Sequence, residues 1–222
     1  MVEFVFLRPR PESGTLRLAD VAAVADNLRQ GGLAVLPTET GYLLAALATS
    51  EPALISAFAV KARPHAQVMH VACASISMIQ TVGVLTPMAT RLLGQFTPGP
   101  LSVIVEKTAL LPDRLVTMHG TVGIRVPDNA ATLQVIAELG LPLTATSLNA
   151  SGEPAIPVDV AGLSRLTWPD AVVHVVEDPS AKRYQDASAL VRVTGPEPEI
   201  LRAGPIDKDQ ILAALAAPEE GP

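Results

Sequence analysis

Short apolar runs alternate with helix-period segments along most of this chain, and that alternation restricts the possible fold more than any other feature. Residues 33–36 form an apolar run that stops at a proline, and residues 18–30 carry apolar side chains at helical spacing up to two glycines. Short apolar runs are typical of buried strands, whereas an apolar period near 3.6 residues is typical of helices. Strands that alternate with helices predict an α/β sheet domain.

The same reasoning assigns most of the chain to elements. Strands are predicted at residues 2–6, 33–36, 68–73, 101–106, 121–126, 143–147, 171–176, 187–193 and 199–201. Helices are predicted at residues 18–30, 51–61, 129–139, 158–166 and 207–216. We divide the chain into an N-terminal strand and connector (1–14), a main sheet domain (15–208) and a C-terminal helix and tail (209–222).

Composition favours one sizeable, mostly aliphatic core, because 49% of the residues are apolar and only 3% are aromatic. The formal net charge of −6 argues against a protein that coats nucleic acid, since such binding depends on a basic face. One cysteine, Cys73, excludes an intrachain disulfide framework and a multi-cysteine metal site. Neither a signal peptide nor an apolar run of ~18 residues is recognisable, so we expect a cytoplasmic protein that does not enter membranes.

Two polar clusters stand out from the apolar pattern. Lys61 and Arg63 precede a proline, and Ser147 and Asn149 follow an apolar strand. Cations at one lip and hydroxyl or amide groups at another suit a polyphosphate, so we predict that these four residues bind ATP and promote its reaction by positioning and charge stabilisation. The alternatives are that the cations complement a helix dipole and that Ser147 and Asn149 form an ordinary turn.

Three further features have both a functional and a structural interpretation. Residues 37–42 (Pro-Thr-Glu-Thr-Gly-Tyr) follow a buried strand, where open α/β sheets bind ligands, but their hydroxyls could equally satisfy a local turn. Arg125 ends an apolar strand and requires an anionic partner, either a carboxylate of the fold or a ligand; Arg202 repeats the pattern. The phosphate-loop and dinucleotide fingerprints are absent, and His65 and His70 lack the acidic neighbours of a zinc site.

Six motifs occur in the order that is typical of the YrdC-like family, the threonylcarbamoyl-adenylate synthases, which the chain resembles over residues 16–206. They are Pro37-Thr-Glu-Thr-Gly-Tyr42, Lys61-Ala-Arg-Pro64, Thr97-Pro-Gly-Pro100, Arg125-Val-Pro127, Ser147-Leu-Asn-Ala-Ser-Gly152 and Leu201-Arg-Ala-Gly204. The resemblance implies a single-domain α/β fold with a twisted mixed sheet and flanking helices. It also implies a nucleotidyltransferase that converts ATP, bicarbonate and L-threonine into threonylcarbamoyl-AMP and pyrophosphate, with Mg²⁺ on the phosphates, for modification of adenosine 37 in tRNA.

The resemblance also distributes residues between two halves of a site. Its ATP-binding positions correspond here to Lys61, Arg63, Thr121, Ser147, Asn149 and Arg202. Its threonine-binding positions correspond to Thr38, Tyr42, Arg125 and Ser188, where Arg125 would pair with the amino-acid carboxylate. No side chain is predicted to bind a metal directly.

The chain departs from the family pattern near the amino-acid half. A histidine that is usual there corresponds to Ala72, and we expect His70, two residues earlier, to need a β-bulge or a register slip to take its place. The Gly41-Tyr42 order and Leu148 resemble the YciO-type branch. The alternative function is therefore a YciO-type protein that binds tRNA or double-stranded RNA without making the adenylate. A third interpretation is a sheet domain whose polar loops serve only stability or a protein partner.

Overall fold

The computed structural model describes residues 1–62, 69–113 and 120–216. The strands are β1 (Glu3–Leu7), β2 (Leu33–Thr38), β3 (Gly41–Ala45), β4 (His70–Ala72), β5 (Gly83–Val84), β6 (Leu101–Lys107), β7 (Thr121–Arg125), β8 (Leu143–Ser147), β9 (Val172–Val176), β10 (Ala189–Arg192) and β11 (Glu199–Arg202). The helices are α1 (Leu18–Arg29), α2 (Glu51–Val60), α3 (Ile76–Val82), α4 (Pro87–Phe96), α5 (Ala130–Leu139), α6 (Val160–Leu163) and α7 (Lys208–Ala216).

The strands form one mixed sheet in the order β1-β9-β2-β3-β8-β4-β7-β6-β10-β11, with β5 added beside β6. β4 pairs in parallel with β7 and antiparallel with β8, so it lies between them near the middle of the sheet. β2 and β3 form a hairpin in which Thr38 and Gly41 are the last pair, and residues 39–40 form the turn between them. The predicted α/β class, with helices flanking a mixed sheet, is confirmed.

The core is one aliphatic cluster between the sheet and its helices. Every residue of β2 is buried, because α1 and α5 pack on this strand. Polar caps begin several helices: Thr86 and Asn129 accept hydrogen bonds from the third amide after them. Gly140 ends α5 in the left-handed conformation, with φ of 70°, which favours glycine.

Most predicted elements are confirmed within a few residues, and four were missed. The missed elements are β3, α3, β5 and α4. The predicted strand at 68–73 is present as β4, although Val68 lies outside the described residues. Over the three described ranges, no helix has the length and apolar character needed to cross a bilayer.

Candidate functional site

A polar cavity of about 280 Å³ lies across one face of the sheet. Its walls come from the neighbouring strands β3, β8, β4, β7 and β6, from β11, and from the segment before β10. The lining residues are Thr38, Thr40, Gly41, Tyr42, Leu43, His70, Ser102, Arg125, Ala145, Thr146, Ser147, Ala187, Ser188 and Arg202. Because β4 separates β8 from β7, the cavity has two ends, which we call the β7 end (around Arg125) and the β8 end (around Ser147).

Arg125 is the main cationic group of the β7 end. It is 8% exposed, and its Nη2 forms an ion pair with Glu39 while its Nη1 donates to Thr40 Oγ1 at 3.1 Å. Its buried Nε has no hydrogen-bond partner in the protein. Burial lowers the pKa of Arg125, and the nearby Glu39 carboxylate opposes that shift. The interpretation that Arg125 pairs with a carboxylate of the fold is therefore confirmed, and its binding of a ligand stays a prediction, although Arg125 also lines the cavity.

Arg202 supplies a second guanidinium to the same end. Its Nε donates to the Ser188 carbonyl oxygen at 2.9 Å, and its Nη2 lies 3.5 Å from Ser188 Oγ. Burial lowers the pKa of Arg202, and the positive charge of Arg125 lowers it further. Ser188 in turn shares a 2.9 Å hydrogen bond with Ser102 Oγ. Two guanidinium groups that repel each other thus lie beside two hydroxyls that share a hydrogen bond. An anion such as a carboxylate would bind favourably between these groups.

The β2–β3 turn closes the wall above Arg125. Glu39 is almost fully buried, and its second carboxylate oxygen accepts the backbone N–H of Asp128 at 2.9 Å. Thr38 Oγ1 donates to the Gly41 carbonyl oxygen at 2.7 Å and accepts the Thr40 N–H at 3.2 Å. Gly41 has φ of 120°, a value that other residues rarely adopt. The local-turn interpretation of these hydroxyls is thus correct for Thr38, and the same turn lines the cavity.

A segment that we call the strap, residues 177–188 between β9 and β10, crosses this turn. The backbone amides of Lys182 and Tyr184 donate to the carbonyl oxygens of Thr38 and Glu39 at 2.8 and 2.9 Å. Tyr42 is fixed at the other side of the strap, because its hydroxyl bonds both the carbonyl oxygen and the N–H of Asp178 at 3.0 Å. Burial raises the pKa of Tyr42, which keeps this phenol protonated. The strap delivers Ser188 to the cavity.

The β8 end joins the two polar clusters of the sequence. Lys61 is 2% exposed, and its Nζ donates to the Ser147 carbonyl oxygen and to Asn149 Oδ1, both at 2.5 Å. Ser147 Oγ also donates to Asn149 Oδ1, at 2.6 Å. The Ser151 N–H returns to the Lys61 carbonyl oxygen at 2.9 Å. Lys61 therefore shapes the loop that follows β8 and places its positive charge directly behind Ser147.

His70 occupies the floor between the two ends. It pairs with Ala145 of β8, and β4 runs in regular register with β7, so neither a bulge nor a slip occurs there. Because residues two apart on a strand project from the same face, His70 reaches the same side of the sheet as position 72 without such an irregularity. Whether it takes the place of the family histidine stays a prediction. Ala72, at the position where the family pattern has a histidine, is fully buried beside Arg125.

The structure brings most predicted site residues together. Thr38, Tyr42, Arg125, Ser147, Ser188 and Arg202 all line the cavity. Lys61 and Asn149 adjoin it through their bonds to Ser147. Thr121 lies at the opposite end of β7 from Arg125 and does not line this cavity, and Arg63 lies outside the described residues. The ligand roles of all these residues stay predictions.

Sequence reasoning missed Glu39 and Ser102 as parts of the site and considered His70 only with an irregular strand. Glu39 lies in the motif of residues 37–42, which was considered for its hydroxyl groups, although Arg125 at a strand end requires a carboxylate or a ligand. Ser102 lies two residues after Thr97-Pro-Gly-Pro100, one step into β6. The period-2 rule could have shown that His70 and Ala72 share one face of their strand. The pairing of Ser102 with Arg125 and of His70 with Ala145 depends on the register of the sheet, which no local pattern gives.

The donor set of the described residues does not fit a metal held by protein side chains. In those ranges, no group of three His, Cys, Asp or Glu side chains is placed to hold an ion. Glu39, which adjoins the cavity, is engaged by Arg125 and by the Asp128 amide. A Mg²⁺ ion at this site would depend on substrate phosphates and water for its ligands, as Mg²⁺ often does.

Comparison with known proteins gives a consistent picture. Residues 26–204 match the model of a family described as "Telomere recombination" (Sua5_yciO_yrdC). A Mycobacterium leprae protein provisionally named threonylcarbamoyl-AMP synthase is 33% identical over 200 residues, which cover 90% of this chain and 89% of that protein. Two further matches are shorter: those to an uncharacterised Haemophilus influenzae protein and to the Pyrococcus abyssi threonylcarbamoyl-AMP synthase span only 61% and 36% of those proteins.

Two solved structures share the fold over almost the whole chain. The P. abyssi Sua5 complex with L-threonine superposes with a TM-score of 0.83 at 25% identity, over 96% of this chain and 61% of that one. Escherichia coli YciO superposes with a TM-score of 0.77 at 25% identity, over 95% of this chain and 99% of that one. The sheet and its flanking helices thus form an architecture that both proteins have.

Proposed function

Because the chain belongs to the Sua5/YciO/YrdC family, we propose that it is an ATP-dependent nucleotidyltransferase that makes a carbamoyl-adenylate from an amino acid, with L-threonine as the expected substrate. The reaction would combine threonine, bicarbonate and ATP into threonylcarbamoyl-AMP and pyrophosphate, for modification of adenosine 37 in tRNA. One observation carries the proposal: a single cavity holds a paired-arginine end and a Lys61-supported hydroxyl end, with β4 between them. Its relatives named threonylcarbamoyl-AMP synthase support the same reaction class.

The β7 end would bind the amino acid. Arg125 and Arg202 offer guanidinium N–H groups to its carboxylate, and that carboxylate would offset the mutual repulsion of the two cations. The hydroxyls of Ser102 and Ser188 lie beside them and could contact the amine or the side-chain hydroxyl. The P. abyssi Sua5 structure is a complex with L-threonine, which supports this choice of amino acid.

The β8 end would bind the phosphates. Ser147 Oγ is positioned by Asn149, and the Lys61 ammonium lies immediately behind the strand end. Adjacent strands are about 4.8 Å apart, and Arg125 lies level with Ala72 and Leu143, four residues along β8 from Ser147, so the backbones at the two ends are about 16 Å apart. The side chains of Arg125 and Ser147 project into the space between them, where an amino-acid carbamate oxygen would attack the α-phosphorus of ATP while pyrophosphate leaves. Catalysis would then come from positioning and charge stabilisation.

The test measures pyrophosphate and adenylate in a mixture of ATP, bicarbonate and L-threonine. We expect product with the wild-type protein, and about a hundredfold less with Arg202→Gln, since a charged hydrogen bond contributes about 1.5–3 kcal/mol. Arg192→Gln is the matched control, because Arg192 is a half-exposed arginine of β10 that pairs with Glu199 and does not line the cavity. A wild-type protein without product, over a panel of amino acids, would rule the proposal out.

A second candidate is the YciO-type function, binding of tRNA or double-stranded RNA without adenylate synthesis. The observation that favours it is the match to YciO, which covers nearly all of both chains. Here tRNA binding should weaken steeply with salt, since phosphate contacts release counterions. The formal charge of −6 makes the synthase the better supported choice.

A further inference from the structure

We propose that His70 is a catalytic residue, whose imidazole takes up the proton that the substrate ammonium must lose before its nitrogen can be carbamoylated. This proposal rests on the proposed synthase function and adds a chemical step to it. It concerns a side chain that this chain places at the start of β4, two residues before the position where the family pattern has its histidine.

The register of the sheet puts His70 at the centre of the cavity floor. On one side it pairs with Ala145 of β8; on the other, the parallel pairing of Val71 with Ile124 sets it level with Gly123 of β7. The cavity has Ser147 on β8 and Arg125 on β7, so β4 is the strand between the two ends. Ser147 and Arg125 each lie one strand across from His70 and two residues along it, in opposite directions, so the backbone of His70 is about 8 Å from each end and midway between them.

Gly123 makes the space that the imidazole occupies. A Cβ at position 123 would lie 2.6 Å from His70 Cδ2 and 2.9 Å from its Nε2, closer than atoms can approach. The ring thus lies directly over the backbone of Gly123. The two residues form a matched pair, in which an absent side chain on β7 allows a large side chain from β4 to lie flat on the sheet.

The charged and titratable neighbours leave the proton-accepting role to His70. Arg125 lies on the same face of the sheet from β7, and Arg202 of β11 lines the same cavity. The Tyr42 phenol is bonded to the backbone of Asp178, and Lys61 is directed at Ser147 and Asn149 behind β8. The Glu39 carboxylate behind Arg125 is occupied by that guanidinium and by the Asp128 amide. Among the described residues that line the cavity, His70 alone carries an imidazole, the side chain that ordinarily changes its charge between about pH 5 and pH 8.

The chemistry requires such a group. An amino acid carries an ammonium at neutral pH, and only the unprotonated amine has the electron pair that attacks the carbon of bicarbonate. The balanced step is R–NH₃⁺ + HCO₃⁻ + imidazole → R–NH–COO⁻ + H₂O + imidazolium. With its carboxylate at Arg125 and its new carbamate oxygen directed toward the phosphates at Ser147, the nitrogen would lie over β4. Positioned acid–base groups contribute about 10²–10⁴-fold to a rate.

His70→Asn tests the proton transfer, because asparagine keeps hydrogen-bonding groups but does not titrate. We expect kcat to fall at least about a hundredfold, the KM for threonine to change less than about threefold, and the acid limb of the kcat/KM profile to disappear. Imidazole added to His70→Gly should restore part of the lost rate. Gly123→Ala should lower kcat as well by displacing the ring, whereas Gly94→Ala, on α4 with open space around its Cβ, should match the wild type.

The outcomes separate this proposal from the function on which it rests. A wild-type protein that makes no adenylate would overturn the synthase function itself. An active wild type, together with a folded His70→Asn variant that retains kcat and the acid limb, would overturn the role of His70 alone.

Discussion

The ion pair between Glu39 and Arg125 determines how the cavity presents a positive charge. Both side chains are buried, and Glu39 divides its two oxygens between the guanidinium and the Asp128 amide. The carboxylate thereby allows a charged arginine to stay in a position where burial opposes the charge. It also fixes the orientation of the Arg125 side chain, whose Nε has no hydrogen-bond partner in the protein.

Glu39→Gln should destabilise the protein by about 3 kcal/mol, because it leaves the Arg125 guanidinium buried without a counter-charge. Urea unfolding followed by circular dichroism measures this change. The control is Glu199→Gln, which breaks the half-exposed pair with Arg192 and should cost less than about 1 kcal/mol. If the two substitutions changed the free energy of unfolding equally, the buried pair would contribute no more to stability than the half-exposed one.

His174 on β9 should make stability depend on pH. It is 8% exposed, its Nδ1 has no hydrogen-bond partner, and burial lowers its pKa, with a smaller opposing effect of Asp20. An unfolded histidine titrates near ~6.5 and so binds the proton more readily. The stability that His174 contributes is therefore present above about pH 6.5 and is lost as the pH falls through its lower folded value.

His174→Leu should remove that dependence. The difference in unfolding free energy between the variant and the wild type should shift in favour of the variant between about pH 7 and pH 5. Denaturant midpoints at several pH values measure it. Parallel curves for the two proteins would show that His174 does not titrate differently in the folded and unfolded states.

Single site residues could be predicted from the sequence where a local pattern was sufficient to identify them. Arg125 could be identified because an arginine after an apolar strand must meet an anion, and Ser147 because it ends one. Lys61 was predicted as a cation at one lip of the site, and the structure buries its ammonium against Ser147 and Asn149. That contact joins positions far apart in sequence, which no local pattern reveals.

At the scale of elements, the strap joins the β2–β3 turn to the cavity. Asp178 starts it: one carboxylate oxygen accepts the N–H and hydroxyl of Ser180 at 2.8 and 2.6 Å, and the other accepts Asn129 Nδ2 at 2.7 Å. Arg183 then pairs with Asp128. These contacts hold a segment without helix or strand in one path, so that Ser188 reaches Ser102.

Asp178→Ala should loosen the strap without unfolding the sheet. We expect faster hydrogen exchange at the amides of Lys182 and Tyr184, whose acceptors are in the β2–β3 turn, and weaker binding of threonine. Mass-spectrometric exchange and calorimetry measure the two effects. Asp186→Ala, at an exposed aspartate of the same segment, should leave both unchanged; exchange rates that agree between the two variants would contradict the role of Asp178.

The elements that the sequence failed to predict have identifiable causes. β3 continues the chain after a turn of only two residues, and its run of Tyr42, Leu43 and Leu44 lacks the polar alternation that marks a strand. α4 begins with Thr86 as its cap and Pro87 in its first turn, signals that do predict a helix start and were overlooked. α3 and β5 are too short for periodicity to define them.

At the scale of the molecule, the mixed sheet explains why one cavity can bind two different substrates. Neighbouring strands each contribute one or two residues, so chemically distinct groups lie at fixed spacings across the sheet. The alternation of strands and helices predicted this class of fold. It did not predict the order β8-β4-β7, because long-range pairing depends on the packing of the entire core.

The separation of the two ends leads to a quantitative prediction for binding. Ser147→Ala should weaken ATP about tenfold, and Ser188→Ala should weaken threonine by a similar factor, since each removes one hydrogen bond to a charged ligand. The ends are about 16 Å apart and share none of the contacts described for these serines, so the double variant should show both losses, additive to within about 0.5 kcal/mol.

Calorimetric titration of each ligand alone measures these terms, and Ser56→Ala, on the exposed side of α2, is the matched control. Turnover should behave differently from binding, because the carbamate forms at one end and reacts with a phosphate at the other. A double variant whose binding losses differ from the sum by more than about 1.5 kcal/mol would show that the two ends interact already in the ground state. The sheet would then act as more than a rigid support for two independent sites.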